Sequence, residues 1–155
     1  ALREDIDALN DRIYRTVNNG VYRAGFATTQ DAYDEAVRDL FATLDMLEER
    51  LGKHRYLCGS TITEADIRLL PTLLRFDAVY VGHFKCNRKR IVDYPNLWSY
   101  VRDFVQRPEI ARTFHMDHVR KHYYSSHLHI NPFGIVPAGP DIDFTIPHDR
   151  GKFTT

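Results

Sequence analysis

The sequence predicts an all-α bundle of about five to seven helices followed by an extended C-terminal arm. Three observations carry that expectation: apolar residues recur at spacings of three and four, helix caps stand where those patterns begin, and period-two alternation is almost missing. At 155 residues the chain has the size of one domain, large enough to bury about 68–70% of its unfolded surface. It contains no internal repeat.

The first helix is expected across "LREDIDALNDRIYRTV", where Leu2, Ile6, Leu9, Ile13 and Val17 share one face. The stretch "NNGVYRAGFATTQ", Asn18 to Gln30, reads as a loop in which Gly20 and Gly25 free the backbone to turn. A second helix runs from Gln30 to Leu51 on the stripe Tyr33, Val37, Leu40, Phe41, Leu44, Leu47 and Leu51, stopped by Gly52. In "STITEADIRLL" Thr63 is an N-cap and Asp66 stands at N3 of a capping box. Ile62 and Ile67 are spaced as a hydrophobic staple, and the helix is expected to bend at Pro71 and reach Val81 or Phe84.

Pro95 opens the next helix, Pro108 a short one, and "MDHVRKHYYSSH" the last, with Asp117 as its first acid. From Leu128 onward Pro132, Gly134, Pro137, Gly139, Pro140 and Pro147 rule out a helix. Phe133, Ile135, Val136, Phe144 and Ile146 are too apolar for a disordered tail. The expected layout is therefore a helical domain over residues 1–127 with an arm, 128–155, packed on it.

Composition excludes several functions. Lys plus Arg number 21, as do Asp plus Glu, so no net field attracts nucleic acid or an anionic membrane. No apolar run approaches the roughly 20 residues of a membrane span. Cys58 and Cys86 lack CxxC spacing and are too few for a disulfide framework, which points to a reducing, cytoplasmic setting. The chain starts without Met inside a helical pattern, as expected of a segment from a longer protein.

Four segments carry a family resemblance. "HRYLCGSTITEADIRLLPTLLRFD" resembles the C-terminal helical domain of glutathione transferases. "NNGVYRAGFATTQDAYDEAV", "RFDAVYVGHFKCN" and "HYYSSHLHINPFGIVPAGP" narrow the likeness to glutathionyl-hydroquinone reductases, the xi-class transferases, along nearly the whole chain. The resemblance implies an N-terminal thioredoxin-like domain bearing a nucleophilic cysteine in a Cys-Pro-Trp-Ala type motif and most of the glutathione site. No such motif stands here, so the chain is expected to be the helical half and inactive alone. Cys58 replaces the threonine more usual before that glycine and is not read as a new active site.

The implied reaction reduces glutathionyl-hydroquinones to hydroquinones, with glutathione as cosubstrate and no metal. It needs a cysteine with a lowered pKa and a proton donor for the ring carbon left when the C–S bond breaks. A phenol suits both tasks, because it donates a hydrogen bond while neutral and stacks on an aromatic substrate. By resemblance, Tyr22 matches the tyrosine assigned as proton donor and acceptor, while Tyr80 and Tyr123 match those that lower the cysteine pKa. Read without it, Tyr22 is a loop plug and Tyr80 a core residue. Tyr123 and Tyr124 point about 100° apart on a helix, so Tyr124 is left to packing.

The resemblance also implies a homodimer. His118 and His122, spaced i and i+4, with His115, His127 and His129 nearby, form a rival constellation. With no HExxH and no acidic cluster beyond Asp117, solvated or hydrogen-bonded histidines are the preferred reading. The basic run around Arg90 is likewise read as a solvated loop. The competing function is a non-catalytic helical module for protein interaction or dimerisation.

Overall fold

The computed structural model describes residues 2–153, and among them the regular structure is entirely helical. Its helices are α1 (Leu2–Ile13), α2 (Gly20–Gly25), α3 (Gln30–Leu51), α4 (Glu64–Arg75), α5 (Pro95–Val105), α6 (Pro108–Ala111) and α7 (Met116–Ser126). Two π-turns, Tyr14–Asn18 and Phe76–Tyr80, follow α1 and α4, and 3-10 turns occupy Ile91–Asp93 and Arg150–Phe153. The all-α class is thus as expected. Two local features are not.

The first is the stretch after Asn18, which is not a loop. The π-turn closes on a bond from Asn19 N–H to the Tyr14 carbonyl, and α2 follows within two residues. Gly20 and Gly25 are buried and helical, so turning is not their task. A Cβ on Gly25 would lie 2.2 Å from the Phe84 ring. Glycine is needed there so that α2 can lie directly on Phe84.

The second concerns α4, which ends at Arg75 and passes into a π-turn. Pro71 lies within the helix and has no N–H for the Ile67 carbonyl. Ile62 packs against the core, whereas Ile67 is half exposed and lines a shallow apolar groove with Leu70, Ile110 and Phe114.

The N-terminus of α4 is as the sequence predicts. Thr63 caps it with Asp66 at N3, in a reciprocal box. Asp66 is fully buried and does more than cap. Its two oxygens accept from Leu57 N–H (2.9 Å), Tyr100 hydroxyl (3.0 Å), Thr63 N–H (2.8 Å) and Thr63 hydroxyl (3.0 Å). One carboxylate thereby ties the 52–63 connection, α4 and α5 together.

Other helix ends are closed by distant acids and bases. Glu48 of α3 accepts from the Asn96 and Leu97 N–H groups at the start of α5, where Pro95 supplies no donor. At the C-terminus of α3, the buried Arg150 guanidinium donates to the carbonyls of Leu51 (2.8 Å), Arg55 (2.7 Å) and His54. A cation on the orphan carbonyls of a helix C-terminus is favourable, and Phe153 covers its face at 4.6 Å. Between α7 and Arg150 the chain is irregular, with turns at 128–133 and 144–146; Gln106 holds the carbonyls of Phe144 and Ile146, and Arg102 that of Pro147.

The apolar core runs through α1 to α5, with Ile13, Leu40, Phe41, Leu44, Leu47, Phe76 and Phe104 at or near zero exposure. Among the described residues no helix is long and apolar enough to cross a membrane.

Candidate active site

Three tyrosines from three distant parts of the chain meet at one edge of this core. Tyr22 comes from α2, Tyr80 from the end of the second π-turn and Tyr123 from α7. The hydroxyl of Tyr123 lies 2.6 Å from that of Tyr22 and 2.8 Å from that of Tyr80. Tyr22 is half-buried, whereas Tyr80 is 1% and Tyr123 5% exposed. Both π-turns bear on this arrangement, since one precedes α2 and the other ends on Tyr80; such wide turns recur at functional sites.

Proton accounting gives the cluster a direction. Three hydroxyls share two contacts, so one hydrogen is left over. Tyr80 is buried, and a hydroxyl hydrogen turned away from Tyr123 there would cost about 1–3 kcal/mol. Tyr80 therefore donates to Tyr123. The spare hydrogen then sits at the outer end, on Tyr22 or Tyr123.

Burial, followed by the hydrogen bond with Tyr123, pushes the Tyr22 hydroxyl up to about 12. Burial and the same neighbour hold Tyr80 well above the ordinary phenol range. Both remain neutral phenols, and so hydrogen-bond donors, at physiological pH. The Arg75 charge acts on both in the opposite direction.

Aromatic rings surround the hydroxyls. Phe84 stacks on Tyr80 at 5.5 Å and 13°, and the Tyr22 ring sits 5.2 Å from it. Phe26, more than a third exposed, meets Phe84 edge-on at 5.1 Å and forms the outer lip. Tyr124 turns away: its ring lies 4.5 Å from His83 and its hydroxyl points at the Ala78 carbonyl. The helical spacing of Tyr123 and Tyr124 thus assigns their faces correctly.

The histidines behave differently from the pattern that made them candidates. His118 is exposed beside Asp117, while the ring of His122 lies against Tyr123. The pair that meets is His83 and His127, at 3.0 Å between Nε2 and Nδ1. His83 drew no attention in the sequence because its partner is 44 positions away. Its only local signal is a place three residues beyond Tyr80 in "YVGHF". Burial, then His127, pushes His83 down to about 4, and burial lowers His127 as well. Among the described residues no group of three or more His, Cys, Asp or Glu side chains is arranged to hold a metal ion.

Neither cysteine is poised for attack. Burial pushes the Cys86 thiol up to about 12, and burial also raises Cys58. Both are unpaired. The cluster can donate hydrogen bonds and a proton to an aromatic molecule, and neither cysteine of this chain has the lowered pKa of a nucleophile.

A helical bundle with this site has the architecture of the glutathione transferase C-terminal domain, and the model of that domain family matches residues 30–103. Within that class the chain belongs to the group containing the glutathionyl-hydroquinone reductases and xi-class transferases. It is 59% identical to the glutathionyl-hydroquinone reductase YqjG of Escherichia coli over 97% of its own length and 46% of that protein. The glutathione-bound structure of YqjG superposes with a TM-score of 0.95 at 58% identity, covering 97% of this chain and 49% of that one. A xi-class transferase from Natrialba magadii superposes equally well, at 0.95 and 50% identity, over 99% of this chain and 48% of that one. The chain therefore spans about half the length of the relatives it matches.

Proposed function

We propose that this chain is the helical half of a glutathione-dependent enzyme that reduces glutathionyl-hydroquinones to hydroquinones. A thioredoxin-like domain preceding it in the complete protein supplies the cysteine thiolate and most of the glutathione site. The observation that carries the reading is the hydrogen-bonded chain Tyr80–Tyr123–Tyr22, opening beside the exposed ring of Phe26.

In this reading the thiolate attacks the glutathionyl sulfur, an S–S bond forms, and the C–S bond to the ring breaks. Tyr22 delivers the proton that the ring carbon takes up. Tyr123, which accepts from Tyr80, turns its one hydrogen to the thiolate and lowers its pKa, and turns it to Tyr22 when that hydroxyl has given up its proton. A second glutathione resolves the mixed disulfide and leaves as glutathione disulfide. Tyr80 is too buried to touch the thiolate and acts through Tyr123.

The enzyme works in the cytoplasm, a setting that suits two unpaired cysteines. It forms a homodimer, for which the exposed apolar side chains Leu128, Phe133 and Ile135 offer surface. Residues 1–127 form the helical domain, and residues 128–155 are its arm.

The complete protein is expected to release hydroquinone from glutathionyl-menadiol in the presence of glutathione, whereas this chain alone releases none. Turnover by the chain alone, or none by the complete protein, overturns the reading and leaves the non-catalytic interaction module in its place.

A further inference from the structure

Resting on the reading above, a second proton transfer must accompany the first. The ring carbon that bears sulfur accepts a proton readily only if the hydroxyl beside it gives one up, so that the ring passes into its dienone form. Tyr22 supplies the carbon's proton. Something must hold the hydroxyl's.

The His83–His127 pair lies where such a group is needed. The His127 ring stands 5.6 Å from Tyr123 and 5.2 Å from the exposed ring of Phe26, on the same rim as the tyrosine hydroxyls. It stacks with Phe84 at 5.7 Å, the ring against which Tyr22 and Tyr80 also rest. Its Nδ1 is engaged by the buried His83 at 3.0 Å. Two neutral imidazoles in that contact share one N–H. The tautomer that the role of a base requires is the one in which His127 Nδ1–H donates to His83 Nε2 across this contact. The other nitrogen of His127, Nε2, carries the lone pair. A backing group that fixes the tautomer is what an imidazole base requires.

We propose that His127, oriented by His83, is the base that takes the hydroquinone's hydroxyl proton at the start of the reaction and returns it at the end. The O–H bond beside the sulfur-bearing carbon breaks, its proton moves to His127 Nε2, and Tyr22 protonates the ring carbon. The thiolate then attacks the glutathionyl sulfur. The C–S bond breaks, and its electron pair returns through the ring to the oxygen, which takes the proton back from His127. The ring carbon is reduced from C–S to C–H, and the two sulfurs are oxidised to a disulfide. Tyr22 recovers its proton from solvent. His127 is a catalytic residue in this scheme, and His83 a positioning residue.

The test uses the complete protein and two substrates. One is glutathionyl-menadiol. The other is the mixed disulfide of glutathione and 2-mercaptoethanol, whose exchange needs the thiolate but no aromatic proton transfer. In His127→Gln and His127→Phe the ratio of the first rate to the second is expected to fall about 10²-fold or more. His83→Gln lowers the same ratio by less. In the parent the ratio falls as pH is lowered through the protonation of His127, whose titratable neighbours are His83, His122 and His129, with Lys85 beside His83. An unchanged ratio in folded variants, an equal loss on both substrates, or a flat parent ratio with pH overturns the proposal. If the His127 variants do not fold, the parent profile decides. A parent that reduces the disulfide but never releases hydroquinone overturns the reading beneath it as well.

Discussion

Replacing Tyr22 by phenylalanine in the complete protein is expected to lower hydroquinone release about 10²–10⁴-fold, equivalent to about 3–5 kcal/mol of barrier, while the fold survives. The substitution removes one oxygen and nothing else. Its ring keeps the contacts with Phe84 at 5.2 Å and Phe26 at 5.9 Å, so packing is conserved. Tyr123 keeps its bond from Tyr80 at 2.8 Å, so the buried end of the cluster stays satisfied. Only the Tyr22 hydroxyl and its contact with Tyr123 disappear. Single-turnover release of hydroquinone, with circular dichroism as the control on folding, reads the effect. A rate within about twofold of the parent would return Tyr22 to a packing role.

The largest effect on stability is expected at Asp66. Asp66→Ala should lower the unfolding free energy by about 3–5 kcal/mol, because two buried donors, Leu57 N–H and the Tyr100 hydroxyl, lose their acceptor at about 1–3 kcal/mol each. The cap on α4 goes with them, worth about 1 kcal/mol. Asp66→Asn separates the two contributions. Its carbonyl oxygen can still accept from Leu57 and Tyr100, but its amide would face the Thr63 N–H donor to donor. Urea unfolding checks this: both midpoints fall at unchanged slope, and that of the alanine variant falls further. Equal midpoints for parent and alanine variant would show that the carboxylate does not tie the two helices.

What the sequence made legible was local. Thr63 and Asp66 lie three residues apart, and the capping box needs nothing beyond that spacing. The stripe of α3, the proline starts of α5 and α6, and the end of the last α-helix near His127 were readable for the same reason. The stretch from Asn18 to Gln30 misled because α2 has only six residues, two of them glycine. What requires glycine at position 25 is Phe84, about sixty positions away and visible only as a ring that a Cβ would strike.

The site divides along the same line. Tyr22, Tyr80 and Tyr123 could be named by resemblance, but their meeting spans 101 positions between Tyr22 and Tyr123. No periodicity reports such a distance. The His83–His127 pair was hidden because the eye-catching spacing, His118 with His122, belongs to one helix face, whereas the real pair bridges two segments. Arg150 was passed over because nothing nearby marks it as the cap of α3, 99 positions before it.

On the proposed function, the tyrosine cluster acts on a thiolate brought to it. The pKa of the nucleophilic thiol in the complete protein, followed by thiolate absorbance in the ultraviolet, tests it most directly. Removing a hydrogen bond to a charged group costs about 1.5–3 kcal/mol, or about one to two pH units. Tyr123→Phe should therefore raise the thiol pKa by that amount, while Tyr124→Phe, whose hydroxyl faces Ala78, leaves it in place. A thiol that titrates identically in the parent and in Tyr123→Phe would contradict the account.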